Sequence, residues 1–150
     1  MIGFEIYRIL SLQENIYKNL YRLCSVIDIP RKLSVHKFQV IYHEHHWIVL
    51  HRNLLGFYEL FDSLGDKSNA FCEVQTHFKS KANLTCNENP LQSDKSSSCG
   101  EFVIFYIYHR YWDDDIPFNE FIQSNFTNSL ETNEVKVKKF VEDLKNGRRL

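Results

Sequence analysis

Residues 91–112, LQSDKSSSCGEFVIFYIYHRYW, pass from a polar serine cluster through Cys99 and Gly100 into a segment that is apolar or aromatic almost throughout. A segment with no polar face predicts a helix buried in the core over 99–112. The N-terminus of such a helix leaves backbone N–H groups unpaired, and these together with the helix dipole favour an anion. A thiolate is such an anion, and cysteines at helix N-termini ionise below the free value of ~8.5. Gly100 allows another backbone to approach without a Cβ in the way, while Ser96, Ser97 and Ser98 either cap the helix or form a flexible approach to it. Two readings follow. Cys99 is a small buried core residue, as free cysteine commonly is, or it is an exposed nucleophile held at a helix N-terminus.

The chain has 150 residues, 43% of them hydrophobic and 15% aromatic, which suits one globular domain over 1–150 with a single core. A formal net charge of -1 argues against a dominant nucleic-acid surface, although KVKK (136–139) and RR (148–149) make the C-terminus basic. No run approaches the ~20 apolar residues that span a bilayer, and the start does not read as a secretory signal. The four cysteines, at 24, 72, 86 and 99, form neither CxxC pairs nor a dense disulfide pattern. An intracellular, reduced protein is expected, without a membrane partner.

Around the cysteine helix the pattern is mixed. Residues 8–24 carry Ile9, Leu10, Ile16, Leu20 and Leu23 at roughly helical period, and Pro30 ends that stretch. KFQVIYH (37–43), HWIVLH (46–51) and FYELFD (57–62) are strand-like, the last two forming a hairpin around Gly56. The polar stretch 66–83 is weakly helical, and 83–92 holds a short strand limited by Pro90. Two amphipathic helices follow at about 117–124 and 133–146, the second with Val137, Phe140, Val141 and Leu144 on one face. The expected class is α+β.

A thiol nucleophile needs a base and the base needs an orienting group. A hairpin turn centred on Asn53–Leu55 sets His46 directly opposite Asp62, with their Cβ atoms ~4.5–5.5 Å apart on one face. That is the base–orienter geometry of a triad; a surface His–Asp pair of little energetic weight is the plainer alternative. His45 is the nearest rival as base. A metal site of His43, His45 and His46 lacks a further cysteine or carboxylate at suitable spacing, so no metal and no cofactor are expected.

In chain order, HHW (45–47), FDSLG (61–65) and LQSDKSSSCG (91–100) resemble the adenain-type cysteine proteases, the adenovirus maturation protease and its relatives, which share a catalytic core with the SUMO-deconjugating proteases. The segment from Phe102 to about 142 is most similar to proteases of Polinton (Maverick) transposons and adintoviruses; the resemblance covers about 37–142, and residues 1–36 do not align. It implies a papain-like, adenain-like core with a mixed β-sheet flanked by helices and the nucleophile at the N-terminus of a buried helix. It also implies Cys99 as nucleophile, His46 as general base, Asp62 as its orienting acid and Gln92 as an oxyanion-hole donor beside the Cys99 backbone N–H. Trp47 packs beside the active site in that family, and a plain core aromatic fits it equally.

The implied function is a cysteine endopeptidase that matures virion or capsid precursors of a virus or virus-like DNA transposon, cutting polyprotein substrates after small, glycine-type residues. The implied place is the host nucleus or cytoplasm, or the virion, and the implied state a monomer. An activating peptide or DNA is a partner by family analogy alone. Two alternatives stand beside it: an isopeptidase removing ubiquitin-like modifiers, and a catalytically inactive remnant of a transposon.

Overall fold

Five strands, β1 (Cys24–Ser25), β2 (Lys37–His43), β3 (His46–Arg52), β4 (Tyr58–Phe61) and β5 (Leu84–Cys86), form one sheet in the order β1-β2-β3-β4-β5. The two outer pairings are parallel and the two inner ones antiparallel, so the sheet is mixed. The helices are α1 (Gly3–Leu10), α2 (Glu14–Tyr17), α3 (Ala70–His77), α4 (Cys99–Trp112), α5 (Phe118–Asn125) and α6 (Leu130–Lys145). This computed structural model describes Met1, residues 3–78 and residues 84–147. Positions 79–83 of the polar stretch and the basic pair 148–149 lie outside the described residues. The class is α+β.

Alternation along the strands divides the interior in two. Phe38, Val40, Trp47, Val49 and Phe61 face α1, α4, α5 and α6 in the larger cluster. Ile41, Ile48, Leu50, Tyr58 and Leu60 face the other way, towards Val26, Leu33 and the α3 residues Ala70 and Val74. α4 carries the larger cluster: Phe102 through Ile107 are all buried, as a helix without a polar face requires. Val137, Phe140, Val141 and Leu144 of α6 pack on it as one apolar stripe. That helix starts earlier than the period suggests, because Ser129 accepts the Thr132 backbone N–H and caps it.

Two expectations change. Residues 8–24 are not one helix: α1 begins at Gly3, buries Ile6, Ile9 and Leu10, and stops where Leu12 and Gln13 donate to the Ile9 and Leu10 carbonyls in tight turn bonds. The one-turn helix α2 follows, and only beyond Leu20 does the chain extend, so Leu23 is exposed and Cys24 pairs with Ile41 in β2. The β3–β4 register also differs, with Val49 opposite Phe61 and His51 opposite Glu59. Asn53 sets it: its backbone N–H donates to the Phe57 carbonyl and its side-chain oxygen accepts from Leu55 and Phe57 N–H, which moves the turn centre to Leu55. The shift is by two residues, an even number, so His46 and Asp62 keep a common face without being directly opposed.

Candidate active site

The site gathers at the open end of β3. β2 and β3 are joined by the two-residue turn Glu44–His45, with φ of 48° and 63°, the backbone of a tight hairpin turn whose twist matches the strands. β3 starts at His46, but pairing with β4 begins only at Val49. His46 and Trp47 are therefore free of β4, and the tip of α4 fills the opening. The Trp47 backbone N–H donates to the Cys99 sulfur, as does the N–H of Gly100 in the first turn of α4. None of the serines before the helix caps it: Ser98 makes no side-chain cap bond, and the Ser96 hydroxyl donates to that of Ser98. The α4 N-terminus is left to the thiol.

His46 links the thiol to Asp62. Its Nε2 lies 2.5 Å from Asp62 Oδ1, and the ring also hydrogen-bonds Cys99, for which Nδ1 is the remaining nitrogen. Burial pushes His46 towards the neutral form, but Asp62 and the cysteine sulfur outweigh it and raise its pKa from 6.5 to about 9. Burial likewise pushes the Cys99 thiol up. The hydrogen bond and charge of His46, with the Trp47 and Gly100 N–H groups, overcome this and lower its pKa below the ordinary 9.0. The pair thus favours thiolate and imidazolium, the reactive form of a cysteine nucleophile.

Asp62 is itself held. Its Oδ1 accepts the Leu64 N–H at 2.9 Å, its own N–H donates to Asn87 Oδ1, and its carbonyl accepts Asn87 Nδ2–H at 2.6 Å. Gln92, 1% exposed, lies behind the serine loop: its Nε2 donates to the Ser96 carbonyl at 3.1 Å and its Oε1 accepts from the Ser63 hydroxyl. The loop is fixed further by Leu91 and Gln92 N–H groups donating to the Ser63 carbonyl, and by Asn133 Nδ2 of α6 donating to the Leu91 carbonyl.

Cys99, His46 and Asp62 are thus brought together, with Gln92 anchored on the neighbouring loop. The thiol is more covered than a boundary residue suggests. Cys99 is only 9% exposed, and Met1 packs over the neighbouring Gly100, close to where a Cβ would stand. Trp47 belongs to the core cluster, and its indole N–H donates to the Met1 carbonyl at 3.2 Å. His45 is exposed in the turn, its Nδ1 bonded to the Tyr42 hydroxyl, and His43 bonds Asn69. The three histidines point to separate partners rather than to one centre.

The sequence reading missed a second polar cluster under α4. Glu59 receives the Arg110 guanidinium through two bonds and the Tyr106 hydroxyl through a third, while Asp114 bonds His51 at 2.7 Å and His36 at 2.6 Å. His51, Glu59 and Asp114 offer ligand atoms close enough for a cation. Because Arg110 already occupies both Glu59 oxygens, this is a closed ion-pair network joining the sheet to the end of α4. A polar residue among apolar neighbours on the inward face of a strand, as His51 and Glu59 are, was the available signal. A cavity of about 690 Å³ opens beyond the Asp62 segment, lined by Gly65, Cys72, Cys86 and Asn87 among others, but by none of the four candidate residues.

No protein-family model and no curated protein matches this chain. No helix among the described residues is long and apolar enough to cross a membrane.

Proposed function

We propose that this protein is a cysteine endopeptidase with a papain-like core, of the adenain type that its motifs resemble. The observation that carries the reading is the buried hydrogen-bonded chain from Cys99 through His46 to Asp62. In the proposed reaction the Cys99 sulfur attacks the scissile carbonyl carbon and the π electrons move to the oxygen. As the C–N bond breaks, His46 gives its proton to the leaving amine, which yields a thioester. Water then gives a proton to His46 and attacks the thioester, and the sulfur leaves as thiolate. Asp62 keeps the imidazole oriented and favours its charged form throughout. The Cys99 N–H at the start of α4 and the Gln92 amide are suited to hold the oxyanion, where one donor is worth ~10²–10³ in rate.

The resemblance extends the proposal to substrates with small, glycine-type residues at the cleavage site, in virion or capsid precursors of a virus or virus-like transposon. The bonds that link Cys99, His46 and Asp62, and those that anchor Gln92, support an active enzyme over an inactive remnant. The test is hydrolysis of a mixture of quenched fluorescent peptides, run beside Cys99→Ala. Cleavage after glycine that disappears in the variant supports the proposal. Equal activity of the variant overturns it. Preferential release of a ubiquitin-like protein from a lysine side chain moves the reading to the deconjugating enzymes.

A further inference from the structure

Asp62 and Ser63 are consecutive, and each holds a different part of the site. Asp62 bonds the base; Ser63, equally buried, bonds Gln92. The Ser63 carbonyl accepts the backbone N–H groups of Leu91 at 2.8 Å and Gln92 at 3.0 Å, while its hydroxyl donates to Gln92 Oε1 at 2.5 Å. The chemistry of these partners fixes which way the amide points. The Ser96 carbonyl can only accept, so it must face Nε2, and Oε1 must then face Ser63, whose hydroxyl supplies the proton. One Nε2–H is spent on Ser96. The other has no protein acceptor among the described residues, although Gln92 is buried. A buried N–H kept free of protein partners is what an oxyanion donor requires, and it keeps its direction only while both ends of the amide are held.

The geometry points to Ser63 as the positioning residue that locks the Gln92 amide with its N–H towards the reacting carbonyl. This rests on the cysteine-peptidase reading and deepens it. The Ser96 carbonyl fixes which end of the amide faces it, and the Ser63 hydroxyl holds the other end; without that hydroxyl Oε1 is buried without its donor, and the amide can swing about the Ser96 bond and lose the oxyanion contact. The two-residue segment Asp62–Ser63 then couples the two halves of the machinery: one residue orients the base, the next orients the donor. Asn87 clamps the backbone of that segment from behind.

The experiment compares two reactions of the thiol in the full chain. With a peptide ending in glycine aldehyde, the Cys99 sulfur adds to the aldehyde carbon and the carbonyl electron pair moves to the oxygen, which takes the oxyanion position. With iodoacetamide, the sulfur displaces iodide and no oxyanion forms. Ser63→Ala should weaken aldehyde binding about 10–100-fold and leave the alkylation rate of Cys99 within about twofold. Gln92→Ala should behave alike, and the double variant should be no worse than Gln92→Ala alone, because the serine acts only through the glutamine. Ser63→Cys, nearly isosteric but with a weak S–H donor, should show a smaller loss in the same direction, and it serves if the alanine variant does not fold. Parallel loss of alkylation, additive losses in the double variant, or unchanged aldehyde binding would each overturn the assignment. A wild-type Cys99 that neither binds the aldehyde nor alkylates ahead of Cys72 would overturn the peptidase reading itself, a distinguishable failure.

Discussion

Replacing Asp62 by asparagine removes one negative charge while keeping the side-chain shape. Asp62 Oδ1 accepts both the His46 ring and the Leu64 N–H, and an asparagine Oδ1 in the same place can keep both bonds. What disappears is the charge that helps hold His46 as imidazolium. The rise of His46 from 6.5 to about 9 corresponds to about 3 kcal/mol in favour of the charged ring. The carboxylate and the cysteine sulfur produce that gain together, against burial, so the carboxylate's share is on the order of 2 kcal/mol. Its loss converts to about a 10–30-fold fall in the thiolate–imidazolium pair near neutral pH. If the asparagine amide turns its NH₂ to the ring, Nδ1 takes the proton, the ring can no longer accept from the thiol, and the fall approaches ~10⁴.

Two assays follow this variant. The pH profile of Cys99 alkylation by iodoacetamide reads the pair directly, and the limb set by His46 near 9 should move towards lower pH. Thermal unfolding gives the sign independently. A histidine whose folded pKa is raised contributes stability that is complete below 6.5 and is lost as pH rises through about 9. The wild-type advantage in Tm should therefore be largest near pH 6 and shrink above 9. An Asp62→Asn protein within about twofold of wild type in kcat/KM, with its basic limb unmoved, would refute the electrostatic role.

Wild-type kcat/KM should follow a bell in pH, rising as Cys99 ionises below its ordinary 9.0 and falling as His46 loses its proton near 9; a profile that climbs steadily through pH 10 would contradict the ion pair. Peptide mapping after brief alkylation near pH 7 should find Cys99 modified first. Burial pushes Cys24 up to about 11 and Cys86 up to about 12, and Cys72 competes only through its exposure. Gly65→Ala should cost about 2–4 kcal/mol by urea unfolding and lower activity with it. Gly65 sits at φ 60° with the Glu88 carbonyl oxygen 2.5 Å from where a Cβ would stand, beside both Asp62 and the Gln92 loop. Arg110→Met should destabilise by about 3–5 kcal/mol because it strands Glu59 in the core, and adding Glu59→Leu should recover most of that loss.

Much of the fold was legible where side-chain pattern alone decides it. The cysteine helix begins and ends as its continuous apolar run predicts, because a helix packed on every side needs no polar face. The three central strands follow from β-branched and aromatic residues bounded by turn residues. What stayed hidden depends on backbone bonds that pattern does not encode. The β3–β4 register turns on Asn53 bonding its own turn, and the break after α1 on bonds around Ser11 to Gln13. In the candidate site, the residues that stand out by chemical type were visible. The supports were not: Ser63 and Asn87 are ordinary polar residues until the fold buries them against Gln92 and Asp62. Nor does any sequence signal say that the Trp47 N–H, unused by β4, will meet the thiol. The ion pairs of Glu59 and Arg110, 51 residues apart, likewise belong to tertiary structure alone.

The central claim is that His46 activates Cys99 for attack on a peptide carbonyl. It is tested most directly by intact-mass spectrometry after exposure to a peptide whose C-terminal glycine carboxylate is replaced by a vinyl methyl ester. Such a probe is added covalently by an activated thiolate bound in a peptide cleft. A single adduct on Cys99 is predicted, absent in Cys99→Ala and slowed about 10²–10⁴-fold in His46→Ala, with folding intact by circular dichroism. An adduct on Cys72, or labelling of Cys99 at the same rate without His46, would contradict the account.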